Sequence, residues 1–569
     1  MLATLLIWIY AALLSFIYGL GCILLLKKAF HFEEDQFPSF SLISITGLVI
    51  ITTLAGFLSL LINLGLATNQ ALVLGGMGIL VLAHRWLPDL LREGFNRLKG
   101  SSPLIWLLCA ALALFVLAKT TEPPQNYDTG LYHAQAIRWI ETYRAVPGLG
   151  NLADRLAFNS AWFLPSALFS FSFLGLRSFH VLGGFIFLQA NLVFLGKASR
   201  LLKGEFALSS VICLALIYLS RRLFGLELSS PGTDMPAALL TWIVFLLALE
   251  KIEAGAADRF DLHSTLIILI SVFAVTLKLS AAPVLLLPLY FLLRELLARQ
   301  AGALPATLVI STLVVVPWLA RNIILSGYLV YPFAAIDLFN VDWKIPAVYV
   351  TRQANAIASW ARLPQQDAKV VLQLPFTRWV PIWWRAQQAF SRQMLVGVGL
   401  GSCAWLVLSL ASVLKPGKIS AAVRRYAIIY LAGWAGITFW FASAPDIRFS
   451  YGFLAILLCL LAAPLIQWLL GRLRRFAIPS VAAVILILLF YQAYGVYRMH
   501  NQVRWLLPAD YPSAAVTART LSRFDTNMPT KGDQCWYAPL PCTPTHNPEV
   551  RMRGASLQDG FYNKNLRQP

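Results

Sequence analysis

The chain has 569 residues, 58% of them hydrophobic and only 13% charged, with a formal net charge of +20. A mean hydropathy of +0.68 excludes an ordinary soluble domain and a disordered segment, since neither carries so much apolar sequence. Nucleic-acid binding does not follow from the positive excess, because much of it lies in short loops between apolar runs, where it orients helices in a bilayer.

Apolar runs recur at 3–26, 39–64, 70–84, 103–119, 178–196, 206–220, 235–250, 264–277, 281–293, 304–320, 394–413, 426–442, 449–469 and 478–494. Such runs predict membrane-spanning helices, so the expected fold is an all-α polytopic membrane protein of about 14 spans. The first run lacks a basic leader and a small-residue cleavage site and reads as a retained helix. The runs at 264–277 and 281–293 are short and split by Lys278; they read either as two spans or as a re-entrant hairpin. Gly397-Val398-Gly399-Leu400-Gly401 lies inside a run and predicts close helix packing.

Basic residues mark alternate loops: Lys27 and Lys28; Arg85, Arg92, Arg97 and Lys99; Lys197, Arg200 and Lys203; Arg294 and Arg299; Lys415, Lys418, Arg424 and Arg425; then Arg472, Arg474 and Arg475. The positive-inside rule makes these loops cytoplasmic and both termini external. Three long segments then share the outer side: 120–177, 321–393 and the tail 495–569. The tail is too polar and too short for a large core, so a small cap or an ordered loop is expected. Cys22, Cys109, Cys213, Cys403 and Cys459 sit in apolar runs as small hydrophobes. Cys535 and Cys542 lie in the tail, where an oxidising compartment would allow a disulfide.

The polar segment 126–151, NYDTGLYHAQAIRWIETYRAVPGLGN, directly follows an apolar run. A helix is expected just after Asp128, with Gln135, Arg138 and Thr142 on one face and Tyr132, Ala136, Trp139 and Tyr143 on another, as in a helix lying along the interface. Asp128 reads as a general base or as the N-cap of that helix. Ser229-Ser230-Pro231-Gly232-Thr233-Asp234 opens a later span and reads as a cap or as part of the same site. The cations Lys278, Arg321 beside Asn322, and Arg448 two residues after Asp446 stand at helix ends next to apolar sequence. They are suited to a lipid-borne phosphate, or to snorkelling and, for Asp446 and Arg448, to a local salt bridge. The seven His are scattered, and Asp128 has no second acid at i+1 or i+2, so a divalent cation has no support from spacing. No phosphate-binding Walker loop is present.

In this order of elements the chain resembles the GT-C superfamily of integral membrane glycosyltransferases. The residues that carry the likeness are Tyr127-Asp128, the amphipathic helix and Pro147-Gly148 in the loop, and Ser230-Pro231, Asp234 and Pro236 at the later helix. More narrowly, YDTGLYHAQAIRW with PGLGN, SGYLVYP, and CW followed by PLPCTP resembles a bacterial family of GT-C-like membrane proteins of poorly defined function. The likeness divides the chain into additional N-terminal helices at 1–100, a catalytic module at 101–494 and a periplasmic tail at 495–569. Two departures stand out: three spans precede the acid-bearing loop, and Asp128 lacks a partner acid.

The resemblance implies a multi-pass protein of the bacterial cytoplasmic membrane, acting on its outer face. It implies a polyprenyl-phosphate-linked sugar donor, a glycan, lipid or protein acceptor, and membrane lipids as partners, without nucleic acid. Asp128 would be the base. Lys278, Arg321 and Arg448 would hold phosphate, and Tyr127, His133 and Asp234 would orient the acceptor or the base; Arg138, Asn322 and Asp446 complete the candidate site. The alternatives are a polymerase or ligase relying on arginines of 321–393, and a transporter or flippase of lipid-linked sugars.

Overall fold

The computed structural model describes residues 1–32, 37–175, 177–414, 418–521, 524–545 and 547–566. Lys415 lies outside them. Among the described residues, twelve helices are long and apolar enough to cross a membrane. The runs expected at 206–220 and 264–277 form the shorter helices Leu208–Phe224 and Leu262–Leu277. Every apolar run therefore lies on a helix, and the chain is a mostly helical, multi-pass membrane protein.

Burial differs sharply among these helices. Asp234–Glu253 is enclosed on all sides by Leu182–Ala198, Leu208–Phe224, Leu262–Leu277 and Ile447–Arg472. Its Trp242, Phe245 and Leu246 are almost fully buried, which is why it is apolar all round. Ala389–Leu414 is peripheral and exposes Val396, Leu400, Leu406 and Leu410. Two of its glycines pack closely: a Cβ at Gly397 would stand 2.9 Å from Leu458, and one at Gly401 the same distance from Leu461, whereas Gly399 faces open space.

The helix ends gather into two groups. At one end, the N-terminal ammonium bonds to the Arg504 carbonyl oxygen, joining the first helix to the segment after Arg474–Met499. At the other, Arg425 donates to the carbonyls of Ile252 and Glu253, and Phe30 packs on Phe260. This second end carries the alternate basic loops. The two runs split by Lys278 form Leu262–Leu277, an extended Lys278 (φ −158°, ψ 126°), a 3-10 stretch Leu279–Leu285 and the helix Leu286–Leu297.

The strands are confined to the tail among the described residues, a departure from a purely helical expectation. Val516–Leu521 pairs antiparallel with Phe524–Pro529, and Val550–Met552 with Phe561–Asn563. This segment is an ordered cap on the loop that follows Pro103–Thr120. Its Phe524, Val550 and Phe561 join Trp139, Ile140, Val146 and Leu149 in one apolar cluster, so it borrows its core from the loop after Pro103–Thr120. Gly148 fits that junction. Its φ is +63°, and a Cβ would lie 2.1 Å from the Phe561 carbonyl oxygen, so only glycine is accommodated.

Candidate functional site

Asp128 follows the helix Pro103–Thr120 and begins one π-helical turn, Thr129–His133, which runs into Ala134–Thr142. Single π turns inside helices are rare and frequent at functional sites. The cap is made by Asn126: its Oδ1 accepts from the Asp128 amide at 2.9 Å, and its carbonyl accepts from Thr129 at 3.0 Å. The Asp128 carboxylate makes no capping bond. Instead, Oδ1 lies 3.9 Å from Arg155 Nη1, and Oδ2 lies 3.6 Å from Arg448 Nη1. Both distances exceed a charge-assisted hydrogen bond. Among the described residues neither oxygen accepts a hydrogen bond, so both retain lone pairs for a further partner.

Arg448 comes from the start of Ile447–Arg472. Asp446 caps that helix, accepting from the Arg448 amide at 3.1 Å, and takes the guanidinium Nη2 at 3.1 Å. Lys278 projects from the break between helices. Its ammonium pairs with Asp234 and sits 3.6 Å from the centre of the Phe449 ring. Asp234 stands in the first turn of its own helix without capping it. Five parts of the sequence thus place Asp128, Arg155, Asp234, Lys278, Asp446 and Arg448 in one partly exposed group.

Behind this group the wall is buried. His133 is 3% exposed, and its Nδ1 has no hydrogen-bond partner. Burial pushes its pKa down to about 4, outweighing the opposite pull of Asp128 and Asp234. Tyr132 is held well above its usual value by burial, with Asp128 adding in the same direction. Glu227 is raised by burial, against the lowering effect of its bond from the Asn126 amide at 2.7 Å.

The helix Ala134–Thr142 forms as expected; on its polar face Thr142 is exposed, but Gln135 and Arg138 are not open to water. The tail covers them. Gln135 Nε2 donates to the carbonyls of Trp536 and Ala538 at 3.1 and 2.9 Å, and Arg138 bonds the Tyr537 carbonyl and lies over its ring. The Trp536 amide donates to Gly130 at 2.8 Å. A Cβ at Gly130 would stand 2.6 Å from the indole. Tyr127 hydrogen-bonds Asp533, which raises its phenol pKa, and its carbonyl accepts from Gln534 at 2.9 Å. Cys535 and Cys542 are joined by a disulfide that closes this loop. Tyr127 and Arg138, expected among the substrate contacts, both bond to the tail.

Arg321 and Asn322 also lie apart. Arg321 is 3% exposed, donating to Ser59 Oγ at 2.8 Å and Asn159 Oδ1 at 3.1 Å. Asn322 donates to the Leu329 carbonyl at 3.0 Å. Neither pairs with the Asp128 group. Arg155, Asn126 and Glu227 were not singled out from the sequence. Asn126 had a findable signal, a short amide two residues before a helix start; Arg155 and Glu227 had none. Among the described residues no three His, Cys, Asp or Glu side chains form a metal-sized group.

No curated protein and no solved structure matches this chain. One family does. Its match spans residues 1–455, most of the helical bundle and all of the Asp128 group, and the chain belongs to that family, which is described as a domain of unknown function (DUF8201).

Proposed function

We propose that the chain is a GT-C-type membrane glycosyltransferase. It would move a sugar from a polyprenyl-phosphate-linked donor to an acceptor hydroxyl, on the outer face of the cytoplasmic membrane, in the synthesis or modification of a cell-envelope glycan. The observation that carries this reading is the Asp128 carboxylate: uncapped, free of hydrogen bonds among the described residues, 28% exposed, and flanked by Arg155 and Arg448. The alternate basic loops at the opposite end support the outward orientation.

In this mechanism the acceptor oxygen attacks the anomeric carbon as the bond from that carbon to the donor phosphate breaks. The phosphate leaves with the bonding electrons, and Asp128 takes the acceptor proton. Direct displacement inverts the anomeric configuration. Arg448 and Lys278 lie where they can stabilise the negative charge developing on the phosphate. Each keeps an acidic partner, Asp446 and Asp234, which holds the cation in position while leaving some of its donors available.

Asp128→Asn tests the assignment, because it keeps the shape and removes the base. Wild type and variant are expressed at equal level in cells lacking the native protein, and the surface glycan is compared. The expected result is a fall in transfer of about 100-fold or more. Unchanged glycan at equal protein level would sink the base assignment.

A further inference from the structure

The stretch that leads into the span Ala389–Leu414 carries a charge that its own acids do not balance. From 347 to 392 it holds Arg352, Arg362, Lys369, Arg378, Arg385 and Arg392 against one acid, Asp367. Asp367 is used as a helix cap, accepting from the amides of Lys369 and Val370 at 2.9 and 3.2 Å. None of the six cations makes an ion pair or a side-chain hydrogen bond among the described residues. Arg352 and Arg362 only lie over the rings of Tyr349 and Trp379.

Three helices carry all but the last of these charges: Ala347–Arg362, Ala368–Gln373 and Phe376–Ala386. Their inner sides share one apolar cluster, in which Leu363, Val371, Trp379 and Trp383 pack with Trp440 and Phe441. The Trp383 indole donates to the Pro445 carbonyl at 2.8 Å, next to Asp446. The outer side is different. It exposes Val348, Trp360, Val370, Phe376 and Ile382 beside Arg352, Lys369, Arg378 and Arg385. Arg378, Ile382 and Arg385 fall at i, i+4 and i+7, one exposed stripe of their helix. Only Gln387 and Gln388 separate that helix from the span Ala389–Leu414, and Pro445 stands just before the span Ile447–Arg472. The helix therefore lies at the level where two spans enter the bilayer, on the Asp128 side.

A membrane surface satisfies both halves of this face, because apolar side chains enter the acyl boundary while cations stay among the headgroups. A soluble acidic polymer would meet the cations and leave the apolar groups in water. A second copy of this chain would set like charges against each other. We propose that the exposed face of these three helices rests on the membrane and takes anionic phospholipid headgroups, of the phosphatidylglycerol type, in preference to zwitterionic ones. The preference follows from charge: a zwitterionic headgroup brings its own cation beside its phosphate, and an anionic one leaves that place to the protein. This surface stands independently of glycosyl transfer and of the phosphate contacts given to Arg448 and Lys278.

Amide exchange of the full-length protein tests this, in lipid nanodiscs of phosphatidylcholine alone or of an equal mixture with phosphatidylglycerol. Residues 347–386 should exchange more slowly in the mixture, by about fivefold for each cation engaged, and high salt should remove the difference. Lys369→Gln combined with Arg378→Gln and Arg385→Gln should remove it too. All three side chains are exposed, so exchange in the enclosed helix Asp234–Glu253 should stay as in wild type. Equal exchange in the two kinds of disc overturns the proposal, as does a difference that survives in the triple variant. Polygalacturonate added to phosphatidylcholine discs is the remaining arm: slowed exchange over 347–386 there would assign the face to an acidic glycan instead. If the triple variant is not inserted, the salt response of the wild type decides, and a difference that high salt leaves intact overturns the proposal.

Discussion

The two ends of the helix bundle use charged side chains to opposite effect. At the basic-loop end, Lys251, Asp261 and Glu295 have side-chain exposures of 0%, 7% and 1%. Lys251 reaches Asp261 at 2.9 Å and the Arg259 carbonyl, and Asp261 also caps Leu262–Leu277 through a reciprocal box with Ser264. That group is closed. At the other end, Asp128, Arg155 and Arg448 have exposures of 28%, 40% and 36%, with separations of 3.6 and 3.9 Å. Exposed pairs at such distances contribute little to stability, about 0–1 kcal/mol. The contrast separates charges that fasten helices from charges left able to meet a ligand.

Four variants can break or sharpen this contrast. The largest effect is expected from Asp128→Asn, whose loss of transfer should come with an unchanged melting temperature, since its oxygens hold nothing in place. A lowered Tm would make Asp128 structural as well. Lys251→Met should do the reverse. Leaving Asp261 and Glu295 buried without their cation should cost about 3–5 kcal/mol, read as a lower denaturation midpoint, with transfer per folded molecule preserved.

His133 gives a smaller, pH-dependent effect. Its pKa is pushed down to about 4, below an unfolded value near 6.5. Between these values the unfolded chain binds more protons, so stability falls as pH drops from about 6.5 to about 4, by as much as about 3 kcal/mol. Buried Glu227 is shifted upward and works in the opposite sense. The difference between wild type and His133→Phe across this range isolates the imidazole, and parallel pH profiles would show that it does not contribute. The smallest change is Cys535→Ser with Cys542→Ser. Opening so short a loop should cost about 2–3 kcal/mol in the chain-entropy model, loosening the tail locally. Faster amide exchange at Trp536, whose N–H donates to the Gly130 carbonyl, is the expected readout, and unaltered exchange would mean that the loop holds without its crosslink.

The bundle was legible because apolar runs of bilayer length have few other uses; even the break at Lys278 was visible as a charge inside apolar sequence. Asp128, Lys278 and Arg448 stood out as polar groups beside helix ends. What could not be read was which charges meet. Arg155 lies in an ordinary stretch, NLADRLAFNS, with no periodicity or spacing to mark it. Arg321 looked equivalent to Lys278 and Arg448, and only packing separates it from them. The tail was underestimated for a related reason: its Phe524, Val550 and Phe561 are too few for a core by themselves, and the apolar surface that completes them lies about 400 residues earlier in the chain.

That distance has a consequence for biosynthesis. Tyr127, Gly130, Gln135 and Arg138 are held by Asp533, Gln534, Trp536, Tyr537 and Ala538. A ribosome completes every membrane helix before it makes those partners. The nascent chain therefore passes through a stage with its bundle assembled and its Asp128 segment unbraced. Bracing of the site is deferred until Asp533–Ala538 are made, so that a chain interrupted between Met499 and Asp533 would carry its helices but lack that brace.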